Sequence, residues 1–192
     1  MDSHPLSFGA SLEICKEAFF NPPSWYVMRF LFNHRGHTMA QIEKKKMTFF
    51  TPMHTVKRLR GNKTVERDEP VIRSLLFIHS DYRSICELRE SNSYLQFRYV
   101  RGGGMHQPMI VKKKEMEEFI HFSTYGEDPV FFDASIENFR KGDRIRILRG
   151  PLSGHEAILG KLPGKRARRA VVDIEGVLAV GVKVDLKDVE KI

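Results

Sequence analysis

The hydrophobic periodicity of this chain breaks once, between residues 123 and 138, and its character differs on the two sides. Before the break, apolar runs with strand-like and helix-like spacing alternate. After it, short runs of alternating apolar and polar residues follow one another with turn residues between them. Such a chain of 192 residues is read as two small domains rather than one core. The expected division is a lead-in over 1–24, a first domain over 25–122, a linker over 123–138 and a second domain over 139–192. Gly126, Asp128 and Pro129 mark the linker.

In the first domain, Trp25 to Phe32 is apolar and aromatic on both faces, which suits a buried central strand. A short helix over Met39 to Lys46 follows, with Thr38 as its expected cap. Met47 to Thr55 is read as a second strand. A hairpin arm centred on Gly61-Asn62 comes next, with Thr64 and Val65 on its return limb. Val71 to His79 is a third strand, Ser80 to Glu90 a serine-capped helix, Tyr94 to Arg101 a fourth strand, and Lys113 to Phe122 a last helix. The order is β-α-β-β-α-β, the split βαβ or ferredoxin-like arrangement. In the lead-in, Leu12, Cys15, Ala18 and Phe19 have helical spacing, and Asn21-Pro22-Pro23 ends it.

After the break, Arg144 to Ile147 alternates strictly. Ala157 to Lys161, Arg168 to Ile174, Val177 to Val184 and Val189 to Ile192 read as four further short strands. Five such strands in so short a span suggest a small closed barrel. The fold class is therefore α+β.

Charge bears on partners. The chain carries 32 Lys and Arg against 24 Asp and Glu, a net charge of +8, with a pI near 9.6. A surplus of that size favours polyanionic partners. Two cation-rich places stand out. The arm has Lys57, Arg58, Arg60, Lys63 and Arg67, and mobile cations of this kind suit phosphate contacts without sequence readout. Lys161, Lys165, Arg166, Arg168 and Arg169 surround a Pro163-Gly164 turn and suit RNA or an acidic partner, or a solvated loop.

Other classes find little support. Cys15 and Cys86 are too few for a disulfide scaffold. His34 and His37 lack the further ligands of a metal motif. Arg101-Gly102-Gly103-Gly104 lacks the lysine and hydroxyl of a P-loop. No Gly-x-Ser-x-Gly elbow or triad order is present, and Cys86 falls on an inner helix face. The expectation is a protein that is no enzyme, needs no cofactor or metal and works as a monomer. With no signal-like start and no apolar run of membrane-spanning length, the expected compartment is the cytoplasm.

Several of these residues together resemble the NusG family. Trp25-Tyr26-Val27, Pro52, the arm at Gly61-Asn62-Lys63, the strand ending at Ile78, and Pro108-Met109-Ile110-Val111 before a helix with Glu115, Met116 and Phe119 follow that family's order. Lys141 to Ile147 and Gly150-Pro151-Leu152-Ser153-Gly154 resemble its KOW motif. Arg73-Ser74-Leu75 stands where the family usually has a Pro-Gly-Tyr tract, and Ala157 stands where the motif has a later glycine. These departures look more like specialised paralogues, such as the UpxY-type antiterminators of capsular polysaccharide operons, than like the housekeeping factor.

The resemblance implies a transcription elongation or antitermination factor with an N-terminal domain of the NusG type and a KOW barrel. It implies that Trp25, Tyr26, Phe49, Pro52, Leu75 and Phe77 grip the clamp of bacterial RNA polymerase. Strand alternation turns half of such a set inward. It places Lys57, Arg58, Arg60 and Lys63 near upstream or non-template DNA. Arg149, Lys165, Arg166, Arg168 and Arg169 would then face the partner of the KOW domain: Rho, a small-subunit ribosomal protein or nascent RNA. The alternative is a KOW-type RNA-binding protein of the ribosome or of RNA processing, which leaves Trp25-Tyr26-Val27 without a role.

Overall fold

The computed structural model describes residues 22–61, 63–100, 107–134, 142–162 and 167–192. The lead-in helix, the Gly102–Gly104 loop, Lys165, Arg166 and the Pro163-Gly164 turn lie outside the described residues. The chain is mixed α/β and divides into two compact units, one built from 1–51 and 73–110, the other from 52–72 and 111–192.

The first unit is a sheet with helices on one face. Strand β1 (Ser24–Phe30) is central and pairs antiparallel with β5 (Leu75–Ser80) and with β6 (Leu95–Phe97). Strand β2 (Thr48–Phe50) extends the β5 edge, and β7 (Ile110–Val111) also pairs with β1. Helix α1 (Arg35–Lys44) connects β1 to β2, and α2 (Tyr82–Glu90) connects β5 to β6. Alternate residues of the sheet, Tyr26, Met28, Phe30, Leu76 and Ile78, form one core with Ile42 of α1 and Ile85 and Leu88 of α2. The period-2 strands and the period-3.6 helices thus meet along a single apolar surface.

Both helix starts differ from the sequence reading. The cap of α2 is Asp81, not Ser80: its carboxylate accepts from Ser84 N at 2.9 Å and from Ser84 Oγ at 2.7 Å. Helix α1 begins at Arg35, and Thr38 lies inside it, fully buried. Its hydroxyl accepts a hydrogen bond from Asn92 Nδ2 at 3.2 Å, so it ties α1 to the loop after α2 instead of capping a helix end.

The segment read as one strand over Met47 to Thr55 is two. After β2, strand β3 (Met53–Arg60) pairs along its whole length with β4 (Lys63–Pro70) as a separate two-stranded arm.

The second unit holds two corrections. The expected linker is structured through residue 132: helix α3 (Lys113–Tyr125) runs past Phe122, and β8 (Glu127–Phe132) follows. The five expected strands are β9 (Asp143–Ile147), β10 (Glu156–Lys161), β11 (Arg168–Ile174), β12 (Leu178–Lys183) and β13 (Val189–Lys191). Their order is β13-β9-β10-β11-β12-β8, six strands with β8 added beyond β12, and no pairing closes the sheet among the described residues. Polar Glu127, Asp128 and Pro129 disguised β8, yet an edge strand tolerates proline because one side of its backbone is unpaired. Helix α3 packs on β11 and β12. Gly126 at its end sits so close to β12 that an added Cβ would lie 2.2 Å from Val182 Cγ1.

Candidate functional site

Strand register sorts the six apolar residues that the resemblance assigned to polymerase. Val27 lies opposite Phe77, and Phe77 opposite Phe50, so these side chains share a face, as do Trp25 and Leu75 two residues away along the strands. Tyr26 lies opposite Ile78, which lies opposite Phe49: these project to the other face, the one covered by α1 and α2. Tyr26 is in the core, its ring 5.8 Å from Phe97 and 6.2 Å from Tyr82. Burial raises its phenol pKa, with Asp81 adding to the effect. Phe49, at the edge, is 36% exposed.

The structure therefore brings together Trp25, Leu75 and Phe77, and separates Tyr26 and Phe49 from them. Trp25 stacks obliquely on His79 at 5.1 Å, and Phe50 lies 6.4 Å from Phe77. Trp25, Leu75 and Phe77 are buried. Pro52 is buried at the base of the arm, where its carbonyl accepts from Val71 N at 2.9 Å.

The arm is two-faced, and again register decides it. Arg60 lies opposite Lys63, Arg58 opposite Val65, Val56 opposite Arg67, and His54 opposite Glu69. One face thus carries Arg58, Arg60, Lys63 and Arg67 against the single carboxylate of Glu69, which pairs with Arg58 at 2.8 Å. The other face carries Lys57 with Glu66 at 3.1 Å, and Asp68, which accepts from Thr55 Oγ1 at 2.8 Å. Lys57 is therefore set apart from the other three expected cations, and Arg67 joins them. Among the described residues Arg60, Lys63 and Arg67 have no ion-pair partner. Pairing about the Gly61-Asn62 centre would have revealed this from sequence, since it fixes which residues face each other.

In the second unit Arg149 is exposed, 3.8 Å from Asp188, and Arg168 is exposed at the start of β11. Arg169 does not join them. It is 6% exposed, donates through Nη1 to the Asp128 carbonyl and to the Gly181 carbonyl at 3.4 Å, and pairs through Nη2 with the Asp128 carboxylate. Strand alternation puts the two on opposite faces of β11: Arg168 is exposed at the strand's start, and Arg169 is buried, where it ties β8 to β12. Of the remaining candidates, His34 stacks on Tyr94 at 3.6 Å with His37 edge-on to the same ring, and Cys86 packs against the first core.

The chain has counterparts among known proteins. Residues 23–120, just over half of the chain, match the family described as "Transcription termination factor nusG". The chain belongs to the NusG family. NusG-family membership makes it a transcription elongation/antitermination factor, and NusG proteins generally bind RNA polymerase. No curated protein matches it. A solved structure, titled "Domain interaction in Thermotoga maritima NusG", is similar to it at 19% identity over 91% of this chain and 99% of that one, with a TM-score of 0.46. No helix among the described residues is long and apolar enough to cross a membrane.

Proposed function

We propose that the first sheet binds the clamp of bacterial RNA polymerase through the face bearing Trp25, Leu75 and Phe77, and that the cationic face of the arm lies against upstream duplex DNA. Binding the closed clamp better than the open one shifts the population toward the elongating state and away from pausing. The stretch over 139–192 acts as a KOW-type module that recruits a further partner, and tethering raises that partner's local concentration. Action at selected operons, such as capsular polysaccharide loci, belongs to the same reading.

The observation that carries this reading is the family match over 23–120, because that stretch contains both the apolar sheet face and the arm. The physical support is the sorting of residues. Large apolar side chains on one sheet face are the kind of anchors that dominate protein interfaces. Because these side chains are buried, engagement by this route requires the face to be uncovered. Four cations on one arm face suit phosphate contacts.

The test is retention of nuclease-treated core RNA polymerase by immobilised protein. Wild type is expected to retain polymerase and Trp25→Ala to lose most of it, with a melting curve showing that the variant is folded. Phe49→Ala, on the opposite face, is expected to behave as wild type. No retention of a cognate polymerase by wild type sinks the reading and favours an RNA-binding KOW protein. Equal loss in both variants rejects the assignment of the face.

A further inference from the structure

We propose that the contact between His121 and His155 is a proton-sensitive clasp, which holds α3 on the second sheet and loosens it on acidification. His121 lies on α3 and His155 just before β10, with ring centroids 4.7 Å apart. Phe122, fully buried beside His121, meets His155 edge-on at 6.2 Å. His121 Nδ1 is shut off from solvent and has no hydrogen-bond partner among the described residues. His155, Val182 and the apolar residues of β11 and β12 that α3 covers all lie on one face of the sheet. Two imidazoles thus meet where a helix closes over apolar strands. Either can sit there neutral, but two imidazoliums at that separation repel and lose their hydration.

The surroundings offer little compensation. On α3 the carboxylates one turn before His121 are Glu117, 3.8 Å from Lys113, and Glu118, on which Lys114 and Glu115 act, and Tyr125 lies one turn after it. Beside His155 is Glu156, already engaged by Arg144 at 3.3 Å and Arg146 at 3.2 Å. From β11 and β12 the same face presents Ala170, Val172, Val180 and Val182, with Arg168 at its exposed end. Burial, and after it the His121 imidazole, hold the His155 pKa below its ordinary value of 6.5. Burial raises Glu118, so that carboxylate gives up its charge early as pH falls.

The sign follows from linkage. A histidine whose docked pKa is depressed contributes full stability above about pH 6.5. It loses that stability as pH falls, because the open state takes up protons that the docked state refuses. Glu118 acts with the opposite sign, and between its raised pKa and the ordinary 4.5 it partly restores docking. The loosening is therefore expected just below pH 6.5.

The experiment is amide hydrogen exchange of the full chain between pH 7.5 and 5.5, corrected for the intrinsic pH dependence of exchange, with α2 amides as the internal reference. For one excluded proton, opening of residues 113–125 is expected to rise about tenfold over this range, while α2 stays within about twofold. His121→Gln and His155→Gln are each expected to flatten the response. Wild-type opening that is independent of pH, or a variant that keeps the full slope, overturns the clasp. Should either variant not fold, ring titration of the wild type by NMR decides. Two coupled steps with one depressed midpoint support the clasp, and two independent midpoints near 6.5 reject it.

Discussion

At the scale of single residues, partners matter more than residue type. Arg169 and Arg168 are neighbours of identical chemistry, and the sequence offers both as surface cations. One is exposed, while the other is buried and bound to Asp128. The pair is asymmetric, since the Arg169 side chain is 7% exposed and that of Asp128 60%. Removing Asp128 leaves a buried guanidinium without its counter-charge, whereas removing Arg169 leaves a carboxylate that water can still solvate. Asp128→Ala is therefore expected to cost about 3 kcal/mol, and Arg169→Met distinctly less, in urea denaturation of the full chain. Equal costs would mean that the pair acts only through its surface-exposed end. Asp81 gives a second test. Hydrogen bonds from Ser84 lower its pKa, so its contribution is present above the ordinary carboxylate value of 3.8 and disappears as pH falls through the depressed one. Asp81→Ala is expected to lower stability by about 1 kcal/mol at pH 7, with the deficit shrinking toward pH 2. A deficit that does not change with pH would show that the missing cap is not the cause. Neither partner is legible in the sequence: Ser80 and Asp81 are both good caps, and only φ/ψ at the helix start chooses between them.

At the scale of elements, periodicity is readable and exceptions to it are not. The alternation in β9 is uninterrupted, β11 is a β-branched run buried on both faces, and both strands stand where the sequence places them. Strand β8 escapes a sequence reading because Gly126, Asp128 and Pro129 are the residues that normally end structure. Each has a physical reason to be there. Asp128 takes a positive φ of 49° and reaches Arg169. Pro129 stands at a sheet edge, and Gly126 makes room for Val182. Gly126 has an ordinary negative φ of −68°, so the constraint is space and not backbone conformation. Gly126→Ala would put its methyl 2.5 Å from the Phe122 carbonyl as well as against Val182. Relief requires α3 or β12 to move, and the expected cost is about 1–3 kcal/mol in thermal or urea unfolding. A neutral substitution would show that this junction yields easily. The arm is the opposite case. Its register is implicit in the position of the turn, and counting outward from it separates Lys57 from Arg58 and Arg60.

At the scale of the whole molecule, a net charge of +8 describes a total and not a surface. Many cations are already matched: Lys57 by Glu66, Arg144 and Arg146 by Glu156, Lys183 by Glu127, Lys191 by Asp143. The cationic face of the arm is different, because four cations there meet one carboxylate. Polymerase binding and duplex binding, if they use the sheet face and the arm as proposed, should therefore be separable by mutation. Arg60→Ala with Lys63→Ala and Arg67→Ala is expected to weaken binding to duplex DNA of any sequence. The variant should also flatten the dependence of log affinity on log salt by roughly one unit for each phosphate that is no longer neutralised. These are exposed positions at which truncation changes folding stability by no more than about 0.5 kcal/mol. Lys57→Ala, on the opposite face and already paired, should leave the slope unchanged. The triple variant should still retain nuclease-treated polymerase, while Trp25→Ala should keep the wild-type salt slope on DNA. Loss of polymerase together with DNA in the triple variant would show that the arm touches the enzyme itself. An unchanged salt slope would place the phosphate-binding cations elsewhere on this basic chain.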